Sequence, residues 1–169
     1  MADIIDNFYR HMGVYGICVV NSSLLVIRKI LGPYSGKYDL PGGRLEKMET
    51  LEQGITRELR EETGHTVRNV NNIGVSDFTV TWTLHDHTVE NLHHIAILYE
   101  VDVDLEEIPD TVESFEGQDS NGAIWLALDE VTSTNSSPLV LQAIKWIRTG
   151  TIPVTSSSFD FSKPPNNPK

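Results

Sequence analysis

Three carboxylates, Glu58, Glu61 and Glu62, crowd into one short stretch that also holds Leu51, Ile55 and Leu59. At about 100° per residue, a helix over this stretch places the three apolar residues on one stripe, with Glu58 and Glu62 within roughly 20° of Leu51. Glu61 falls one step to the side. Charged residues usually line a solvated face, but that face lies opposite the leucines, where Thr56 and Arg60 fall. Glu58 and Glu62 are therefore expected to be partly buried and to need partners. Carboxylates spaced i, i+3 and i+4 repel one another unless a cation neutralises them, and hard oxygen ligands suit Mg²⁺ or Mn²⁺. Gly54 costs about 0.8–1.0 kcal/mol relative to Ala inside a helix, and its missing side chain is read as space for metal or phosphate.

The elements that must hold this helix are marked by caps and periodicity. Thr50 with Gln53 fits a capping box and Gly64 fits the C′ position, which bounds the helix at Leu51–Thr63. Before it, Lys37-Tyr38-Asp39-Leu40-Pro41-Gly42-Gly43 gives the backbone freedom to approach a ligand. Val14–Asn21 and Leu24–Ile30 are strand-like and joined by a hairpin at Asn21-Ser22-Ser23. Phe78, Val80, Trp82 and Leu84 alternate with threonines, and strands are also expected over Ile95–Val103 and Gly122–Leu128. A last helix starts at the cap Ser137 and Pro138 and closes at Gly150, with Val140, Ala143, Ile144 and Ile147 on its inner face. Residues 151–169 are rich in Ser, Pro and Asn and are expected to form a mobile tail outside a single domain of residues 1–150.

The spacing Gly43-x5-Glu49-x7-Arg57-Glu58-Leu59-x-Glu61-Glu62-x-Gly64 resembles the signature of the Nudix hydrolases at every charged and glycine position, and the Leu40-Pro41-Gly42-Gly43 lead-in is similar as well. The motif covers Gly43–His65; His65 departs from it, standing where an apolar residue is usual. The resemblance implies an α/β fold, an α/β/α sandwich with a mixed β-sheet and a loop-helix-loop catalytic element. It implies Mg²⁺ or Mn²⁺ held by Glu58, Glu61 and Glu62 with the carbonyl of Gly42 or Gly43, and Arg57 and Glu49 as residues that orient the carboxylates. The implied reaction is attack of an activated water on one phosphorus of a diphosphate bridge. Glu58 and Glu61 are both candidates for the general base, as are the later acids Glu113, Glu116 and Asp119.

Composition sets the outer limits. The 169 residues suit one domain, and 39% hydrophobic with 22% charged residues suits a globular one. The single cysteine, Cys18, lies in an apolar run and reads as a small buried hydrophobe. No apolar stretch approaches the ~20 residues that span a bilayer, and a cytoplasmic protein with no membrane partner is expected. A net charge of −11 argues against a nucleic-acid partner, because such binding rests on Lys and Arg. The expected partner is a small-molecule nucleotide, and a homodimer stays open.

Arg28, Lys29, Lys37 and Arg44 are candidate phosphate contacts. Trp82, Phe8, Tyr15 and Phe78 are candidate base contacts, though aromatics in alternating strands usually belong to the core. His85, His87, His93 and His94 read as exposed residues around a loop. Neither the proline that marks ADP-ribose hydrolases of the family past the motif nor the tyrosine of dinucleoside polyphosphate hydrolases stands between Val67 and Leu84. A nucleoside triphosphate, giving nucleoside monophosphate and pyrophosphate, is thus the first substrate choice. An ADP-ribose or nucleotide-sugar pyrophosphatase and a non-catalytic nucleotide sensor are the alternatives.

Overall fold

The computed structural model describes residues 7–112 and 120–162. In chain order it contains β1 (Asn7–Ile17), β2 (Val19–Val20), β3 (Ser23–Lys29), β4 (Tyr38–Asp39), β5 (Gly42–Gly43), α1 (Leu51–Thr63), β6 (Val67–Thr83), β7 (Val89–Val103), β8 (Ser120–Ala127), α2 (Pro138–Thr149) and β9 (Ser157–Asp160). A five-stranded mixed sheet runs β5-β1-β7-β6-β9, with β1 parallel to β7 and β9 parallel to β6. In the second sheet β3 pairs antiparallel with β2, β4 and β8. Among the described residues, the helices α1 and α2 complete the α/β architecture.

The two helices pack into different clusters. Ile55 and Leu59 of α1 are fully buried with Val14, Cys18, Leu25, Ile97, Tyr99 and Val101. Leu139, Val140 and Ala143 of α2 join the larger cluster around Phe78, Leu98, Leu24 and Tyr15. Fully burying a side chain such as Leu59 contributes about 1.5–3 kcal/mol, so α1 is fixed to β1 mainly by this stripe. Gly16 lets it come close, since a Cβ there would lie 2.6 Å from Leu59 Cδ1.

Caps set the helix limits. Thr50 Oγ1 accepts from Gln53 N while the Gln53 side chain accepts from Thr50 N, and Gly64 takes the left-handed conformation at φ 74°. For α2, the Ser137 side chain accepts from Val140 N and Gly150 takes the left-handed conformation at φ 68°. The β2–β3 hairpin turns on Asn21 and Ser22, both at positive φ, as a two-residue turn matched to strand twist requires.

Three expectations need correction. Leu51 is 36% exposed, and the buried side of α1 is instead Gly54, Ile55, Leu59 and Thr63; Leu51 stands at the first position, before the helix has reached the core. The strand expected from Ile95 begins at Val89, so His93 and His94 lie within β7 and not in a loop. Alternation along Leu92, His94, Ala96 and Leu98 turns His94 into the core, where it is 3% exposed. Third, within the segment expected to be a mobile tail, Ser157–Asp160 form β9, paired with β6. Phe159 packs edge-on against Phe78 at 5.8 Å and Phe161 against Tyr34 at 6.5 Å, so two aromatics anchor a stretch whose overall composition is polar. Among the described residues no helix is long and apolar enough to cross a membrane.

Candidate active site

Arg57 is the centre of the acidic cluster. Its Nε and Nη2 donate to the two carboxylate oxygens of Glu49 at 2.7 and 2.9 Å, a bidentate pair. Nη1 lies 3.0 Å from Glu58 Oε1 and 3.0 Å from Glu61 Oε2, and Nη2 also donates to the carbonyl of Arg44. One guanidinium thus ties the loop before α1 to two carboxylates on it. The Arg57 hydrogen bonds, with one from Glu46 N–H, pull the Glu49 carboxyl down to about 2. Glu58 is held above its ordinary value, chiefly by burial, with Glu61 and Glu49 adding repulsion and Arg57 opposing it.

Glycines bring the lead-in strand against these acids. Gly42 N–H donates to Glu62 Oε2 at 2.8 Å. A Cβ on Gly42, whose φ is 147°, would overlap the Val14 carbonyl oxygen, and one on Gly43 would lie 2.7 Å from Glu58 Oε1. Only glycine fits between β1 and the carboxylates. Gly54 departs from its sequence reading. A Cβ there would overlap Leu45 Cδ2 and lie 3.2 Å from Glu49 Oε2, so its missing side chain makes room for Leu45 and for the Glu49 partner of Arg57.

The donor set fits a divalent cation in chemistry. Its side-chain donors are carboxylates, a cationic guanidinium already stands between Glu58 and Glu61, and Gly43, having no Cβ, lets its backbone approach the Glu58 carboxylate closely. Glu61 is 58% exposed and Glu58 14%. Among the described residues no three acidic, His or Cys side chains already converge as a ligand cluster.

On the other side of Gly42 and Gly43 opens a cavity of about 260 Å³, lined among others by Tyr9, His11, Tyr15, Tyr34, Asp39 and His94. Its polar wall is a chain of hydrogen bonds between neutral rings. Tyr34 Oη pairs with His94 Nδ1 at 3.0 Å, His94 Nε2 with Tyr15 Oη at 2.8 Å, and Tyr15 Oη with His11 Nε2 at 2.8 Å. Arg44 Nε donates to His11 Nδ1 at 3.2 Å, closing the chain beside Gly43. Burial pushes His94 down to about 3, with the neighbouring cations and imidazoles adding to it.

Sequence reading had singled out none of His11, Tyr34 or His94 as site residues. The one signal for His94 was its place on the apolar alternation of β7, since a core imidazole needs partners. His11 stands opposite His94 in the parallel β1–β7 register, which no local pattern reveals.

The candidate substrate contacts divide. Arg44 hydrogen-bonds to His11 of the cavity wall, and Lys29 lines the cavity. Arg28, on the opposite side of β3 from Lys29 by alternation, donates to Tyr38 Oη and stacks over its ring. Lys37 Nζ donates to the Thr134 carbonyl and lies over Phe161. Trp82 lines an adjoining cleft with Ile30, Leu31 and Phe161. Tyr15 and Phe78 are buried, Phe8 is exposed, and His65 is buried edge-on against Trp125. Glu113, Glu116 and Asp119 lie outside the described residues.

Comparison with known proteins identifies the family of the chain. The model of the NUDIX domain matches residues 9–149. Over 58 residues the chain is 40% identical to an ADP-ribose pyrophosphatase of Methanocaldococcus jannaschii, a match covering 33% of this chain and 34% of that protein. Over 62 residues it is 34% identical to an 8-oxo-dGTP diphosphatase of Proteus vulgaris, covering 36% of this chain and 55% of that one. The matched stretches thus span about a third and about half of these curated relatives. A MutT NUDIX hydrolase from Burkholderia pseudomallei superposes with a TM-score of 0.62 at 22% identity over 81% of this chain and 97% of its own, a likeness of fold. With the family model matching most of its length, the chain belongs to the NUDIX domain family.

Proposed function

We propose that this chain is a divalent-cation-dependent hydrolase that cleaves the phosphoanhydride bridge of a nucleoside diphosphate linked to a further group. The observation that carries this reading is the single guanidinium of Arg57 gathering Glu49, Glu58 and Glu61 beside the Gly42–Gly43 strand, with Glu62 on the Gly42 N–H. Glu58, Glu61, Glu62 and a glycine carbonyl would hold Mg²⁺ or Mn²⁺. Such a cation, when bound, neutralises phosphate charge and makes a water nucleophilic at neutral pH.

The protein's own groups do the positioning. Glu49 anchors Arg57 bidentately, which fixes the rotamer of the residue that holds Glu58 and Glu61. Gly42 N–H orients the Glu62 carboxylate. As the water oxygen bonds to phosphorus, the bridging P–O bond breaks and the water's proton passes to a carboxylate of the same cluster. The nucleoside end of the substrate lies in the cavity beyond Gly42–Gly43, with Arg44 at the boundary.

A nucleoside triphosphate is the first substrate choice, releasing nucleoside monophosphate and pyrophosphate, and the similarity to an 8-oxo-dGTP diphosphatase supports it. The 40% identity to an ADP-ribose pyrophosphatase favours ADP-ribose as the second. The test is product release from nucleoside triphosphates, ADP-ribose, dinucleoside polyphosphates and nucleotide sugars with Mg²⁺ or Mn²⁺, for wild type and Glu61→Gln. Turnover of one class, lost in the variant, supports the reading. Nucleotide binding without turnover across the panel replaces it with a sensor.

A further inference from the structure

The hydrogen-bond chain on the cavity wall has a direction, and arginine sets it. A guanidinium N–H only donates, so Arg44 Nε–H makes His11 Nδ1 an acceptor. A neutral imidazole with an accepting Nδ1 carries its proton on Nε2, so His11 Nε2–H donates to Tyr15 Oη. Tyr15, accepting from His11, spends its own proton on His94 Nε2. The neutral His94 then bears its proton on Nδ1 and donates it to Tyr34 Oη. Tyr34 is 4% exposed, lines the cavity, and makes no second side-chain hydrogen bond among the described residues.

We propose that Tyr34 determines substrate specificity by presenting its hydroxyl proton to an acceptor on the group bound in this cavity, selecting an oxo-bearing base over an amino-bearing one. The inference deepens the functional reading above, placing the base in the cavity beyond Gly42–Gly43. A buried donor with its acceptor side already used by His94 can meet a carbonyl oxygen. Facing an amino group, it leaves two donors opposed with neither satisfied. The depressed pKa of His94 agrees with the neutral imidazole that the chain requires. Arg44, His11, Tyr15 and His94 act as positioning residues, since they set which way the Tyr34 hydroxyl points.

Two readouts test this. Nitrogen-15 chemical shifts of the histidine rings, taken on wild type with no nucleotide present, are expected to show His94 protonated at Nδ1 and His11 at Nε2. His94 protonated at Nε2 instead would overturn the proposal, because Tyr34 would then donate to His94 and keep nothing for a ligand. The second readout is the ratio of kcat/KM for inosine over adenosine forms of the best substrate, and for uridine over cytidine forms, in wild type and Tyr34→Phe. Wild type is expected to favour the oxo form about tenfold in at least one pair, and the variant to bring that ratio within about twofold of one. A ratio unchanged by Tyr34→Phe in a folded variant refutes the proposal. Should no substrate turn over, which would sink the hydrolase reading alone, the same ratio is read from the dissociation constants of the monophosphates.

Discussion

Two polar clusters meet across Gly42 and Gly43, and they are stabilised in opposite ways. The cluster on α1 is built from full charges, partly open to water, with one guanidinium shared among three carboxylates. The cavity wall is built from neutral imidazoles and phenols, mostly buried, each satisfied by its neighbour. Burial explains the difference: an uncompensated charge inside costs far more than a hydrogen-bonded neutral group. The exposed side can therefore handle cations and phosphates, and the buried side can discriminate by donor and acceptor. Arg44 links the two, its carbonyl held by Arg57 and its Nε by His11.

The largest effect should come from removing one charge on the helix side. Glu58→Gln or Glu61→Gln is expected to lower kcat by about 10²–10⁴, with little change in thermal unfolding. Steady-state kinetics with a melting curve checks both halves. If activity and stability fell together, the acids would be structural and the contrast between clusters would fail.

Next is the boundary itself. Gly43→Ala puts a Cβ 2.7 Å from Glu58 Oε1, and displacing that carboxylate should cost about 100-fold in kcat/KM. Histidine tautomers on the cavity side should be unchanged in the same variant.

The neutral cluster should reveal itself through acid. Burial pushes His94 down to about 3 in the folded protein, against about 6.5 unfolded. Between those values the unfolded chain holds a proton that the folded one lacks, so stability falls as pH drops from about 6.5 toward 3. The slope from this group approaches about 1.4 kcal/mol per pH unit. Denaturant midpoints between pH 7 and pH 4.5 should show that slope in wild type and lose it in His94→Asn.

The smallest effect concerns β9, the strand at the edge of the five-stranded sheet. Phe159→Ala should cost about 1–2 kcal/mol, less than a fully buried aromatic because Phe159 is only half-buried. Chemical denaturation measures it, and no loss would mean that β9 adds nothing to the core.

How legible each cluster was in the sequence follows from the same contrast. The acidic helix was readable because Glu49, Arg57, Glu58, Glu61 and Gly64 interact over short separations, where cap residues and helical period fix geometry. Its limits at Leu51 and Thr63 agree with the fold. The cavity wall joins His11 to His94 and Tyr34 to His94 across 83 and 60 positions; the β1–β7 register brings the first pair together, and the loop between β3 and β4 carries Tyr34 to the second. Period two held part of that information, since His94 shares a face with Leu92 and Ala96, but the polar pair His93-His94 obscured the start of the strand. Gly54 shows the opposite error: its rarity in a helix was legible, and its cause, the packing of Leu45, was not.

The central claim, that the α1 carboxylates hold the cation on which hydrolysis depends, is tested most directly by titrating the protein with Mn²⁺ and following the free ion by electron paramagnetic resonance. Wild type should bind Mn²⁺ saturably, and Glu58→Gln should weaken that binding at least about tenfold, as loss of a charged ligand requires. Equal affinity in the two proteins would place the cation elsewhere and contradict the account.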